Sequence, residues 1–215
     1  QANRRVLRQA IAARPVFLRQ IHGGRVATLD RETPDGTAAD GCVTPHSGVA
    51  CSIMVADCLP VLFTSRDGGA VAAAHAGWRG LAGLGGRGVL ESTLESFMAL
   101  AHIHNDLIAA KVIAWLGPCI GPEQFEVGPE VKAAFQAHDA RPSECFRPRA
   151  EGKWLADLAG LARLRLRAMG VTSMQGYDGS LPGCTVSNRA RFFSHRRDTP
   201  ALGASGRFAA CIWLA

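Results

Sequence analysis

Short apolar runs dominate the chain: residues 15–21 (PVFLRQI), 49–55 (VACSIMV), 59–63 (LPVLF), 70–75 (AVAAAH), 112–116 (VIAWL) and 208–214 (FAACIWL). Each is strand-sized and bounded by turn-forming residues, so each predicts a β-strand. Helical periodicity falls between several of them. Over 154–169, Leu155, Leu158, Ala162, Leu166 and Met169 form one apolar stripe, Arg163, Arg165 and Arg167 turn outward, and Gly170 supplies the stop. A second helix is predicted over 87–104 and a third from Pro129 to His138. No repeat or low-complexity tract interrupts the pattern. The fold class is therefore α+β, a mixed α/β layout of sheets flanked by helices.

A chain of 215 residues, 47% of them hydrophobic, can bury one sizeable core, and residues 1–215 are expected to form a single domain. None of the runs approaches the roughly 18 residues a membrane span needs. The basic start QANRRVLRQAIAARPVFLRQ is broken by Arg14 and Arg19 before any signal-like core develops, so a cytoplasmic protein with no membrane partner is expected. The first residue is Gln rather than Met, which suggests that an N-terminal segment is missing. The seven cysteines, at 42, 51, 58, 119, 145, 184 and 211, are odd in number and scattered, which fits reduced thiols better than a disulfide framework.

The net charge of +6 suits phosphate or another anionic substrate. The densest basic stretch, NRARFFSHRR at 188–197, interleaves arginine with phenylalanine as a single-strand platform does. No nucleic-acid motif accompanies it, so it reads as a phosphate-binding corner or a solvated loop, and nucleic acid is not an expected partner. GLGGRG at 83–88 satisfies the dinucleotide pattern, yet it does not follow directly on a strand and no acid closes a second strand beyond it. It reads as a flexible glycine-rich lead into the second helix.

Three metal-capable side chains stand at the edges of apolar runs: His22, Cys58 and His75. Gly23 and Gly24, Pro60 and Gly77 follow them and bend or end the chain just past each candidate. Three strand ends of one sheet can therefore converge on one point. Two imidazoles and a thiolate suit Zn2+ with a fourth position open to water or substrate, a catalytic rather than structural arrangement. The same donors also serve copper, and spacing alone does not choose.

The motifs RQIHGG, AADGCVT, VADCLPVLF, AAAHAGWRGL, LGPCIGPEQFEVG and RFFSHRRD, followed by GRFAACIWL, resemble the ordered motifs of the bacterial laccase-domain family. That family is also described as polyphenol oxidases, peptidoglycan-editing proteins and purine nucleoside phosphorylases. The resemblance runs from about residue 17 to the end, and the family's N-terminal segment, with a glycine-rich strand, has no counterpart here. It implies His22, Cys58 and His75 as metal ligands and a fold related to cysteine-hydrolase toxins. It implies purine nucleosides and phosphate as substrates, with phosphorolysis and adenosine deamination, and carries an older label of copper-dependent phenol oxidation.

Phenol oxidation by a multicopper centre requires many histidines, mostly in H-x-H pairs, whereas this chain has seven and a single such pair, His102 and His104. Purine chemistry fits the parts better. Asp57 beside Cys58 is a candidate proton shuttle, and equally a cap or a carboxylate orienting a ligand histidine. Arg79 supplies the fork that phosphate accepts, with Arg196, Arg197 and Arg207 as weaker candidates. Trp78 either packs in the core or walls the pocket. Cys119, in GPCIGP, is a candidate nucleophile, and a cysteine-hydrolase alternative pairs it, or Cys58, with His75.

Overall fold

The computed structural model describes residues 2–139 and 141–215. At its centre, β5 (Leu59–Ser65) and β6 (Val71–Ala76) form an antiparallel hairpin, and β4 (Val49–Val55) precedes them. Before these come α1 (Ala2–Ala10), β1 (Arg14–Phe17), β2 (Val26–Thr28) and β3 (Gly41–Thr44). After them follow α2 (Trp78–Ala82), α3 (Val89–Leu100), α4 (Ile108–Lys111), β7 (Val112–Leu116), β8 (Glu126–Val127) and α5 (Pro129–Gln136). The remainder is β9 (Phe146–Pro148), β10 (Trp154–Ala156), α6 (Leu158–Ala168), β11 (Ser173–Gly176), α7 (His195–Leu202) and β12 (Phe208–Trp213).

A mixed six-stranded sheet runs β11-β7-β5-β6-β3-β2, a three-stranded sheet runs β1-β4-β12, and β8-β10-β9 form a small antiparallel sheet. Strand alternation joins the two larger sheets into layers. Leu59, Val61 and Phe63 of β5, with Ala72, Ala74 and Ala76 of β6, face a core completed by α3 and α6. Leu62, Val71 and Ala73 face the other way, onto Val49, Cys51, Ile53 and Val55 of β4. Burial on both faces explains why these strands read as continuous apolar runs. Each fully buried Phe or Leu here stabilises the fold by roughly 2 kcal/mol.

All six predicted runs contain strands, but their limits move. The first strand ends at Phe17, not Ile21: the backbone of Phe17 and Arg19 turns to Gly36, Thr37 and Ala39, the Gln20 side chain takes both backbone groups of Met54 in β4, and the amides of Ile21, His22 and Gly23 then bond the Asp40 carboxylate. The helix predicted over 154–169 begins only at Leu158: Trp154–Ala156 pairs as a strand with β8 and β9, and Asp157 caps the helix by accepting Gly160 N–H. Its arginines are not all turned to solvent. Arg165 donates to Glu91 and the Ala82 carbonyl, and Arg163 to the Tyr177 carbonyl, tying the helix to its neighbours.

The second helix spans Val89–Leu100, shorter than 87–104, and His102 takes a positive φ of 51° just beyond it. The third ends at Gln136. Residues 83–88 form an exposed turn that leads into the second helix: Leu84 and Arg87 exchange backbone bonds, Leu84 itself is 90% exposed, and Gly83 approaches the Arg87 carbonyl too closely for a side chain. Among the described residues no helix is long and apolar enough to cross a membrane.

Candidate functional site

His75 is the residue after Ala74 in β6, so alternation carries it to the same side as Val71 and Ala73, toward the three-stranded sheet. Its ring is 3% exposed. Asp40, immediately before β3 and wholly buried, lies with Oδ1 2.9 Å from His75 Nδ1 and accepts the His75 backbone N–H on its own carbonyl. The carboxylate accepts Nδ1–H and leaves Nε2 as the nitrogen free for a ligand.

That carboxylate also organises His22. It accepts the amides of Ile21, His22 and Gly23 at 3.1, 2.9 and 2.7 Å, which holds the His22 backbone at a φ of 60°. A non-glycine residue pays strain in the left-handed region, and such strain persists only where surrounding bonds impose it. The His22 and His75 rings meet edge to face with centroids 4.8 Å apart.

Cys58 follows in the turn between β4 and β5, after Asp57, whose φ of 84° is the other left-handed value at the site. His22, Cys58 and His75 each place one donor atom within 4.8 Å of the others, a group that could hold a metal ion. Gly77 makes room for it: a Cβ there would lie 2.9 Å from Cys58 Sγ and 3.2 Å from His22 Cδ2. Burial by itself raises the Cys58 thiol, but hydrogen bonds from His22 and His75 outweigh it and bring the thiol down to about 7. Burial works against the His75 imidazolium, yet the bonds to Asp40 and Cys58 prevail and raise it to about 9. Desolvation raises Asp40, and its bonds to His75, Gly23 and His22 more than reverse this.

Two cleft lobes flank the cluster. One, of about 250 Å3, is walled by Trp78, Ile120, Phe125 and Leu158 and bears Arg79 and Arg196. The other, of about 210 Å3, is lined by Gln20, Met54, Ser205 and Arg207. Arg79 is exposed and its guanidinium stacks 4.4 Å from the centroid of Trp78, which itself packs against the core and walls the lobe.

Asp57 is 8% exposed, and its carboxylate accepts Thr185 Oγ1–H at 2.6 Å, Ser194 Oγ–H at 3.0 Å and Arg196 N–H at 2.6 Å. These bonds pin the α7 end and the 185 loop to the Cys58 turn. The carboxylate that orients a histidine of the cluster is instead Asp40, bonded to His75, which sequence reasoning does not single out; its one signal is an acid set directly before the apolar GCVT run. Cys119 is fully buried and its thiol is pushed well up, first by burial and then by Asp157. Arg197 spends its guanidinium on Asp198 and on the Thr185, Val186 and Phe192 carbonyls. Arg196 reaches the Gln124 and Glu126 carbonyls. His195, at the start of α7, borders both lobes and is not among the residues sequence reasoning selects.

Fold and site together describe a mixed α+β protein with a two-histidine, one-cysteine cluster in a cleft beside its main sheet. A family profile described as multi-copper polyphenol oxidoreductase laccase matches residues 1–215, and the chain belongs to that family. It is 45% identical over 215 residues to a Pseudomonas aeruginosa protein named purine nucleoside phosphorylase, covering 100% of this chain and 80% of that one. The Escherichia coli purine nucleoside phosphorylase YfiH is 44% identical over 204 residues, or 95% of this chain and 75% of its own. A crystal structure of a Neisseria meningitidis protein superposes with a TM-score of 0.83 at 43% identity, over 99% of this chain and 79% of that one.

Proposed function

We propose that this chain is a metal-dependent purine nucleoside phosphorylase that also deaminates adenosine, with His22, Cys58 and His75 holding Zn2+. The observation carrying this reading is the cluster itself, three donors of types that suit zinc, with lobes on two sides for substrates. Two imidazoles and a thiol tuned to about 7 fit such an ion, and the Asp40 bond to His75 matches the carboxylate that commonly orients a zinc-bound histidine. Copper fits the same donors less specifically. A bound zinc ion supplies a Lewis acid and brings a coordinated water to a pKa of about 7.

The protein's own groups then have separate tasks. Arg79 holds phosphate through its fork, and the Trp78 face keeps the guanidinium in place. Phe125, Ile120 and Leu158 offer an apolar wall against which a purine is excluded from water. Relatives named purine nucleoside phosphorylase support the phosphorolysis part of this reading. A multicopper oxidase fits poorly, because the described residues offer this one cluster and no second or third group for further copper ions.

The test is metal analysis of purified protein alongside hypoxanthine release from inosine. The expected result is one zinc ion per chain and release that requires phosphate. A Cys58→Ala protein with full metal occupancy would overturn the ligand assignment.

A cysteine-hydrolase reading has one observation in its favour: Cys58, His75 and Asp40 stand in the order nucleophile, base and orienting acid. On that reading a thiol alkylator abolishes activity and a chelator does not.

A further inference from the structure

The two lobes share four residues, His22, Ala56, Cys58 and His195. Two belong to the cluster and one is alanine. His195 is thus the one shared side chain that can carry a proton without being a cluster donor.

Its position is well determined. Ser194 caps α7 by accepting the Arg197 N–H at 3.1 Å, and both its Oγ–H and the Arg196 N–H bond Asp57, the neighbour of Cys58. His195 is thereby held at a set distance from the turn that carries the thiol. Thr199 Oγ1, one helical turn on, lies 2.9 Å from His195 Nδ1. A hydroxyl both donates and accepts, so it holds the ring in either protonation state and leaves Nε2 as the nitrogen open to the cleft.

Breaking a nucleoside's C–N bond leaves an electron pair on the purine, and the base departs poorly unless a proton arrives with it. The other groups around the lobes do not supply that proton. A guanidinium does not act as a proton donor in a protein, which leaves out the arginines of the lobes. The Asp57 carboxylate is occupied by three donors, and Cys119 is sealed in the core.

We infer that His195 is the general acid for the departing purine, an assignment that rests on the phosphorolysis reading above. A phosphate oxygen bonds the anomeric carbon, the C–N bond breaks toward the base, and His195 Nε2–H delivers its proton to a purine ring nitrogen. The proton that hydrogen phosphate loses on becoming the sugar ester returns to the imidazole through solvent, so charge and atoms balance. The same imidazole also lines the second lobe.

The experiment compares inosine with 7-methylguanosine, whose base already carries a positive charge and leaves without protonation. In zinc-loaded His195→Gln and His195→Asn proteins, kcat/KM for inosine should fall about 100- to 10,000-fold, the range of a lost general acid. For 7-methylguanosine it should fall by less than about tenfold, since no proton transfer is removed. Metal content and melting temperature are measured on both variants, so that one folded, loaded variant suffices. Equal loss on both nucleosides, or no loss on inosine, overturns the assignment while leaving phosphorolysis standing. A wild-type protein that cleaves neither nucleoside with phosphate overturns the underlying reading, and the assignment with it.

Discussion

Asp40 and His75 form a buried pair, Oδ1 to Nδ1 at 2.9 Å, and the same carboxylate accepts the amides on both sides of His22. One acid thus sets two of the three cluster donors, one through its ring and the other through its backbone. In Asp40→Asn a donor faces groups that themselves donate, and zinc affinity should fall by about 10- to 100-fold. Asp40→Ala should further destabilise the protein by about 1–3 kcal/mol for each buried donor left unpaired, because the His75 ring and the amides of Ile21, His22 and Gly23 lose their acceptor. Competition with a zinc chelator and thermal melting read the two effects; unchanged affinity in a folded Asn variant would count against the orienting role.

Alkylation of Cys58 reports the electrostatics directly. The thiol is depressed to about 7, so in metal-free protein the thiolate dominates above that pH and is lost as pH falls through it. The rate of iodoacetamide labelling should rise with a midpoint near that value, well below the roughly 8.5 of a free cysteine. Zinc should protect the thiol. Because zinc needs Cys58 ionised and His75 neutral, its affinity should climb with pH between about 7 and about 9 and release protons on binding.

Gly77 has φ −70° and ψ 158°, a conformation any residue adopts, so Gly77→Ala tests sterics without backbone strain. The added methyl would sit 2.9 Å from Cys58 Sγ. Overpacking of this kind costs about 1–3 kcal/mol. The expected outcome is a folded protein with reduced zinc occupancy, measured by elemental analysis and a melting curve.

Arg79→Ala should raise the apparent KM for phosphate roughly 10- to 100-fold, the worth of a charge-assisted hydrogen bond of about 1.5–3 kcal/mol. Adenosine deamination uses water and should suffer much less. Lysine should rescue only in part, since a point charge lacks the fork. Equal loss of both reactions in folded, zinc-loaded protein would show that Arg79 holds the site together rather than the phosphate.

His22, Cys58 and His75 are legible in the sequence because each ends or borders an apolar run and is followed by a residue that bends the chain. Asp40 is not legible, although it sets two of the three. Its partners are backbone amides 17 to 19 residues away and a ring 35 residues away, and no local pattern encodes such contacts. His195 is hidden for a similar reason: it sits in a basic stretch whose composition suggests a surface loop, and only the bonds of Ser194 and Arg196 to Asp57 carry it to the cleft.

Strand and helix limits divide along the same line. The apolar period by itself determined that runs such as 49–55, 59–63 and 112–116 are strands, because burial of alternate or all side chains is a local property of the pattern. What ended β1 at Phe17 and made Trp154–Ala156 a strand was decided in the tertiary structure. In one case the 36–39 segment and the Gln20 side chain took the backbone partners, with the buried Asp40 carboxylate taking the amides beyond them, and in the other two neighbouring strands supplied ladder partners. Backbone hydrogen bonds must be satisfied by whatever the fold brings near, and that neighbour is absent from the local sequence.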